Sequence, residues 1–357
     1  MNFTKMKILV LSITIFLSNL SFGQSSNFKL FLIGDTGEDI SLGTTMKHFL
    51  DTISLYPNSA TVFLGDNSYK GWRKGFDSSK ITIKRLGAQL EGLNKYRYRG
   101  SLYFIPGNHD WWNSTKMKKG KRSLKKEEVF INSYLSRNQY IKNNSTAFIP
   151  KDGNPIGAME LNNDQLKLIF LDTQWLIIQK NEQEKVRVYA QLDSILSSAI
   201  SRKQKIVVAA HHPIYTISKH SRKHSWQFPK IWKCQDIYHP DYRDMRERVD
   251  AIFYKKDYPI IYASGHDHVL EYFRKNSVQY IVSGSGSKSN PFDEKKNLEF
   301  NPEPGENIPE NPIAKVEEGY FEVDYTDNNV SVIMYYMDGK LNKKVINGGL
   351  KADDGID

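Results

Sequence analysis

Residues 61–69 read Thr-Val-Phe-Leu-Gly-Asp-Asn-Ser-Tyr. A short β-branched and aromatic run passes straight into Gly65 and Asp66, with Tyr69 three residues further on. The run has the make-up of a buried strand, and it stops at residues that turn a chain and bind cations. Four other stretches have the same form. KLFLIGD (29–35) ends at Asp35, and LYFIPGNHD (102–110) ends at Asn108, His109 and Asp110. IVVAAHH (206–212) ends at His211 and His212, and IIYASGHDH (260–268) ends at His266 and His268. One such ending is an ordinary turn. Five of them, all rich in carboxylate and imidazole, need a common cause. In open α/β sheets ligands bind at the carboxyl ends of the strands, so five endings on one rim would build a multi-metal centre.

Between these runs lie stretches of helical character, which predicts an α/β architecture. Amphipathic helices are expected over Ser41–Leu55, Ile81–Leu93 and Val186–Ile200. Further strands are expected at KLIFLDT (167–173) and QYIVSGSGS (279–287). Near the C-terminus, GYFEVDYT and NVSVIMYYMDG flank Asp327-Asn328-Asn329, a hairpin signal that closes a sheet. Residues 113–128, 216–244 and 288–312 read as insertions or long loops. There is no internal repeat and no divisive linker, so 24–357 is expected to form a single domain.

The N-terminus has the layout of a secretory signal. Lys5 and Lys7 precede the apolar run ILVLSITIFL, and Ser21-Phe22-Gly23 supplies small-residue character for cleavage before Gln24. Residues 1–23 are therefore read as a signal peptide and the mature chain as exported, to the periplasm or beyond. A membrane anchor is the alternative, but the run is short for a span of roughly 20 residues; no stable membrane insertion is expected. The single cysteine, Cys234, excludes an internal disulfide and reads as a packed side chain.

Hydrophobic residues make up 39% and charged residues 25%, ordinary for a globular protein, while the net charge of +10 favours anionic partners. No nucleic-acid motif accompanies that charge, so a phosphorylated small molecule or protein is the expected substrate. The basic run KMKKGKRSLKK (116–126) would draw such a substrate, but it is read as a solvated loop and helix face.

A binuclear hydrolytic centre needs two metals about 3.5–4 Å apart, a bridging carboxylate, and hard oxygen and imidazole donors. Asp35 and Asp66 offer carboxylates, His211, His266 and His268 imidazoles, Asn108 an amide oxygen and Tyr69 a phenol.

In order and spacing these residues resemble the calcineurin-like metallophosphoesterases: Gly34-Asp35, Gly65-Asp66-Asn67, Gly107-Asn108-His109, His211, then Gly265-His266-Asp267-His268. Tyr69, the VxxH form of Val208–His211, AHHPIYTISKH (210–220) and SGHDHVLEYF (264–273) are similar to the small, tartrate-resistant purple acid phosphatases. The resemblance implies a four-layer α/β/β/α sandwich with the metals at the C-terminal ends of the strands. It implies Fe(III) held by Asp35, Tyr69 and His268, and Fe(II), Zn or Mn held by Asn108, His211 and His266, with Asp66 bridging. It implies hydrolysis of phosphate monoesters by in-line attack of a metal-bound hydroxide. His109 and His220 would bind phosphate or supply the proton that the leaving oxygen needs.

Blander readings apply nearby. His212 is read as a packing residue beside a ligand, Asp110 as a residue that orients His109, and His224 and His239 as surface or loop residues. Trp111 and Trp112 suit either a substrate wall or the core. A phosphodiesterase or nucleotidase on the same scaffold is the alternative function, and a non-catalytic binding protein with a relic site is a third. The sequence is silent on oligomeric state.

Overall fold

Along β1 (Phe28–Ile33), Phe28, Leu30 and Leu32 point to one side while Phe31 and Ile33 point to the other, and all five are buried. A strand that is apolar on both faces must lie in a sheet covered on both faces. The structure, a computed structural model, describes residues 27–39, 41–69, 80–111, 116–143, 147–218, 235–289, 309–326 and 329–346. The expected signal peptide, Trp112, His220, His224 and Cys234 lie outside the described residues.

β1 is followed by α1 (Thr44–Ser54), β2 (Ser59–Phe63), α2 (Lys80–Lys95), β3 (Ser101–Phe104) and α3 (Met117–Leu135). Then come β4 (Ile156–Leu161), β5 (Leu166–Leu171), α4 (Thr173–Ile178), α5 (Glu182–Ser201), β6 (Lys205–Ala210) and α6 (Pro240–Lys256). The chain continues through β7 (Ile260–Ser264), β8 (Leu270–Lys275), β9 (Val278–Ser283) and β10 (Glu310–Lys315). It ends in β11 (Gly319–Tyr325), β12 (Val330–Asp338) and β13 (Lys340–Ile346).

The strands form two mixed sheets. One has the order β13-β12-β11-β1-β2-β3, the other β10-β8-β9-β7-β6-β5-β4. Within the first, β1, β2 and β3 run parallel; within the second, β5, β6, β7 and β9 do. One buried cluster joins the inner faces, with Leu30, Leu32, Val62 and Val323 from the first sheet and Leu168, Phe170, Val207 and Ile281 from the second. The outer faces pack on helices. α1 buries Met46, Phe49, Leu50 and Ile53, spaced as one helix face, each side chain contributing about 1.5–3 kcal/mol by leaving water. The α/β/β/α expectation therefore holds. Among the described residues no helix is long and apolar enough to cross a membrane.

The three anticipated helices form within a few residues of their expected bounds, and the C-terminal strands pair with Tyr325 opposite Val330. One expectation is corrected. The basic run at 116–126 is no loop: Met117–Leu135 is one helix burying Gly120, Ser123, Leu124, Glu127, Glu128, Ile131 and Leu135. That stripe has helical spacing, but four of its seven members are glycine, serine or glutamate, which hides it from an apolar count. Loop 216–244 likewise ends inside α6. There His239 accepts a hydrogen bond from the Asp241 backbone N–H and caps the helix, with Pro240 in its first turn.

Candidate metal centre

The two sheets meet at the ends of β1 and β9, where the Gly34 N–H donates to Ser283 O at 2.7 Å and the Gly286 N–H to Gly34 O at 3.0 Å. Asp35 N–H donates to Gly65 O at 3.0 Å, Gly265 N–H to His211 O at 2.9 Å, and His266 N–H to Asp35 Oδ2 at 2.8 Å, which laces four of the five strand endings together. The bends are sharp. Asp35 (φ 58°), Asp66 (φ 52°) and His266 (φ 69°) all adopt left-handed backbone, uncommon for residues with a side chain. Gly65, at φ 89°, also lets the His211 ring approach: a Cβ there would lie 2.6 Å from its Nδ1.

The expected ligands converge in two overlapping groups. In the first, the Tyr69 hydroxyl donates to Asp35 Oδ1 at 2.5 Å and lies 3.0 Å from His268 Nε2, itself 3.5 Å from Asp35 Oδ1. In the second, Asn108 Oδ1 lies 2.9 Å from His211 Nε2 and 3.1 Å from His266 Nδ1. Asp66 stands between them, its Oδ1 3.5 Å from His211 Nε2, and ligand atoms of Asp35, Asp66 and His211 fall within 4.8 Å of one another. The phenol, amide and carboxylates here are at most 4% exposed.

This donor set fits a cation. His211 Nδ1 lies 2.8 Å from the Leu64 carbonyl oxygen, so that nitrogen carries the proton and Nε2 carries the lone pair. His266 Nε2 lies 3.0 Å from the Gln235 carbonyl oxygen, leaving the lone pair on Nδ1. Both lone pairs face the Asn108 oxygen, and that of His211 also faces Asp66. Buried acceptors aimed at one another are costly unless a positive charge sits among them. Asn108, His211, His266 and Asp66 would hold one such ion; Asp35, Tyr69, His268 and the same Asp66 would hold another.

The carboxylates are unequal. Burial pushes Asp35 up to about 7, opposed by the His211 charge and reinforced by Asp66. Burial acts on Asp66 too, but His211, His109 and the His109 backbone N–H, at 2.8 Å from Oδ1, outweigh it and hold this group below the usual range. Burial, then Asp35 and Asp66, pushes the Tyr69 phenol well above its ordinary value. His109, whose side chain is 29% exposed, lies 4.5 Å from the Tyr69 ring, centroid to centroid and edge-on. Burial lowers its pKa, against the pull of Asp66.

Among the neighbours, Asp110 departs from the role expected of it, while His212 and Trp111 pack as expected. Asp110 accepts from the backbone N–H groups of Gly107 (2.8 Å), Asn67 (3.3 Å) and Ser68 (3.4 Å), so it fastens two strand endings together rather than serving His109 alone. His212 is fully buried, with Nδ1 2.8 Å from Thr173 Oγ1 and Nε2 2.9 Å from Gln235 Oε1. It also stands close enough to His211 and His266 for the three to form a ligand-like cluster. Trp111 belongs to the core, its Nε1 donating to Asp172 Oδ2 at 2.9 Å.

Three contributors were not anticipated: Gln235, through its carbonyl and amide; Glu127, bound to Asn67; and Lys288, whose ammonium lies 3.3 Å from the Tyr69 ring centroid. No local pattern announces them. A signal for Glu127 was its place four residues after Ser123 and three after Leu124 on a helical face.

Comparison with curated protein sequences gives no match. Among solved structures the chain is similar to GAP50, described as the anchor in the inner membrane complex of Plasmodium. TM-score is 0.58 at 17% identity, covering 90% of this chain and 89% of that one. It is similar to PhoD, with TM-score 0.54, 14% identity and coverage of 91% and 73%. A dimetal phosphatase from Danio rerio gives TM-score 0.50 and 11% identity over 90% of this chain and 99% of that one. At such identities these likenesses speak for the fold alone. The calcineurin-like phosphoesterase model matches residues 28–284, most of the chain and all five strand endings, and the protein belongs to that family.

Proposed function

We propose that the protein is an exported phosphatase that hydrolyses phosphate monoesters in the manner of purple acid phosphatases. Fe(III) would occupy the Asp35, Tyr69 and His268 position, and Fe(II), Zn or Mn the Asn108, His211 and His266 position. The observation that carries the proposal is Tyr69, whose phenol oxygen lies 2.5 Å from Asp35 and 3.0 Å from His268. A phenolate is a hard donor. A hard donor of this kind suits a cation of high charge. When bound, the two metals supply an activated water and neutralise charge on the phosphoryl oxygens.

The chain's own residues do the rest. Asp66 holds both positions in register, while the Leu64 and Gln235 carbonyls fix which imidazole nitrogens bind. His109 is the partly exposed histidine at the rim, placed to hydrogen-bond the ester and to protonate the leaving oxygen. His220, outside the described residues, is proposed for the same task. The signal-like sequence at 1–23 supports export.

The test combines metal analysis, a visible spectrum, and parallel assays of a nitrophenyl monoester and a bis-nitrophenyl diester at acidic pH. Coloured, iron-containing protein that prefers the monoester supports the proposal. Active but colourless, iron-free protein refutes the iron assignment, and preference for the diester makes it a phosphodiesterase.

A further inference from the structure

Lys288 leaves β9 on a loop locked to the residues that carry Asp35. The Ser287 hydroxyl donates to Asp35 O at 2.6 Å and accepts from the Glu38 N–H at 3.2 Å. The Lys288 side chain therefore has a fixed origin. Its ammonium lies 3.3 Å from the centroid of the Tyr69 ring, a cation–π contact, and 3.4 Å from Glu38 Oε2. Glu38 also faces Arg85, at 3.6 Å, and its carboxylate is 41% exposed while Lys288 is 29% exposed. The partly exposed ammonium thus lies over a ring that is itself buried. Its charge reaches Asp35, Asp66 and His109.

We propose that Lys288 anchors the dianionic phosphoryl group of a monoester at the mouth of the metal centre, with Glu38 holding the ammonium while the site is empty. The inference rests on the phosphatase function proposed above and names the residue that would set its preference for monoesters. A monoester brings two negative charges to this ammonium and a diester brings one. At a partly exposed position the extra charge is worth about a five- to tenfold preference. An arriving phosphate displaces the Glu38 carboxylate, which stays paired with Arg85. Lys288 keeps its place because the Tyr69 ring supports it.

The test is calorimetric titration of metal-loaded protein with inorganic phosphate at mildly alkaline pH, where phosphate is dianionic, with metal content measured alongside. Lys288→Gln is expected to weaken phosphate binding about five- to tenfold, Lys288→Arg to restore most of it, and Glu38→Gln to tighten it. In steady state, Lys288→Gln raises KM for the nitrophenyl monoester with kcat nearly unchanged and raises that for the bis-nitrophenyl diester distinctly less. Equal phosphate affinity in wild type and Lys288→Gln overturns the inference. So does a parallel loss of monoester and diester, which marks a structural role. Should Lys288→Gln fail to fold, phosphate binding by Glu38→Gln no tighter than by wild type overturns it. If wild type cleaves neither ester, the phosphatase proposal fails, while the phosphate titration still decides the role of Lys288.

Discussion

The Asn67 side-chain amide donates to Glu127 Oε1 at 3.1 Å, tying the second strand ending to the helix that follows the third. Both residues are fully buried. Glu127→Ala removes one of three acceptors of the Asn67 amide, the others being the Ile105 carbonyl and Asp110, and is expected to cost about 0.5–1.5 kcal/mol of stability. Glu127→Gln keeps an acceptor oxygen and is expected to recover most of that loss. Urea unfolding of the two variants measures the difference.

Two helical glycines should respond in opposite directions to alanine. On α2, a Cβ at Gly87 meets nothing within 4 Å, and Gly87→Ala is expected to stabilise by about 0.5–1 kcal/mol through helix propensity. On α3, a Cβ at Gly120 would lie 1.9 Å from Trp111 Cε3. There overpacking, at about 1–3 kcal/mol, outweighs the same propensity gain. A higher melting temperature for Gly87→Ala and a lower one for Gly120→Ala is the expected outcome.

Glu271 links buried charge to pH. Its pKa is pushed well above 4.5, first by burial and then by the charge of Asp267. Folded Glu271 keeps a proton that the unfolded chain releases above about pH 4.5, so this group makes stability fall as pH rises through neutrality. Glu271→Gln removes the contribution. Urea unfolding at about pH 5 and about pH 8 is expected to show a smaller loss in the variant than in wild type; equal losses would show that Glu271 is not the source.

Metal binding should be visible as stability. The lone pairs gathered around Asn108 and Asp66 repel one another without a cation, so chelation is expected to lower the melting temperature and returned metal to raise it. Free metal at a hundredfold its dissociation constant contributes about 2.7 kcal/mol. His211→Ala, which removes an imidazole from the Asn108 and His266 position, is expected to shrink the rise and to lower activity by at least about a hundredfold.

Tyr69→Phe isolates the phenol. The variant keeps the ring that packs against His109 and Lys288 but loses the oxygen beside Asp35. If Tyr69 binds iron, the visible band disappears while the fold, followed by circular dichroism, stays intact. An unchanged spectrum would show that Tyr69 is not a ligand.

The sequence disclosed the elements that are fully buried and the residues at their ends. β1, β2, β5, β6 and β7 are apolar on both faces, so each appears as a continuous hydrophobic run. β4, β10 and β13 lie at sheet edges. β13, Lys-Leu-Asn-Lys-Lys-Val-Ile, is largely polar, and lysine on an edge strand guards against pairing with another chain. Composition that protects an edge is composition that conceals a strand. The ligand positions were legible because each follows its strand within a few residues. Glu127 and Gln235 were not, since each reaches the centre from a segment that no strand ending marks; Lys288 follows β9 closely, but a lone lysine after a strand carries no ligand signature.

The left-handed backbone at Asp35, Asp66 and His266 has a consequence for how such a chain drifts. Each strained residue costs about 1–3 kcal/mol, which the surrounding sheets must absorb. Replacing any of them with glycine would relieve that strain while abolishing a ligand. Yet Asp35 accepts from the Tyr69 hydroxyl and the His266 backbone N–H, and Asp66 accepts from the His109 N–H. The two carboxylates thus offset their own strain by filling buried donors, and a chain that lost its metal chemistry would still have a folding reason to keep them.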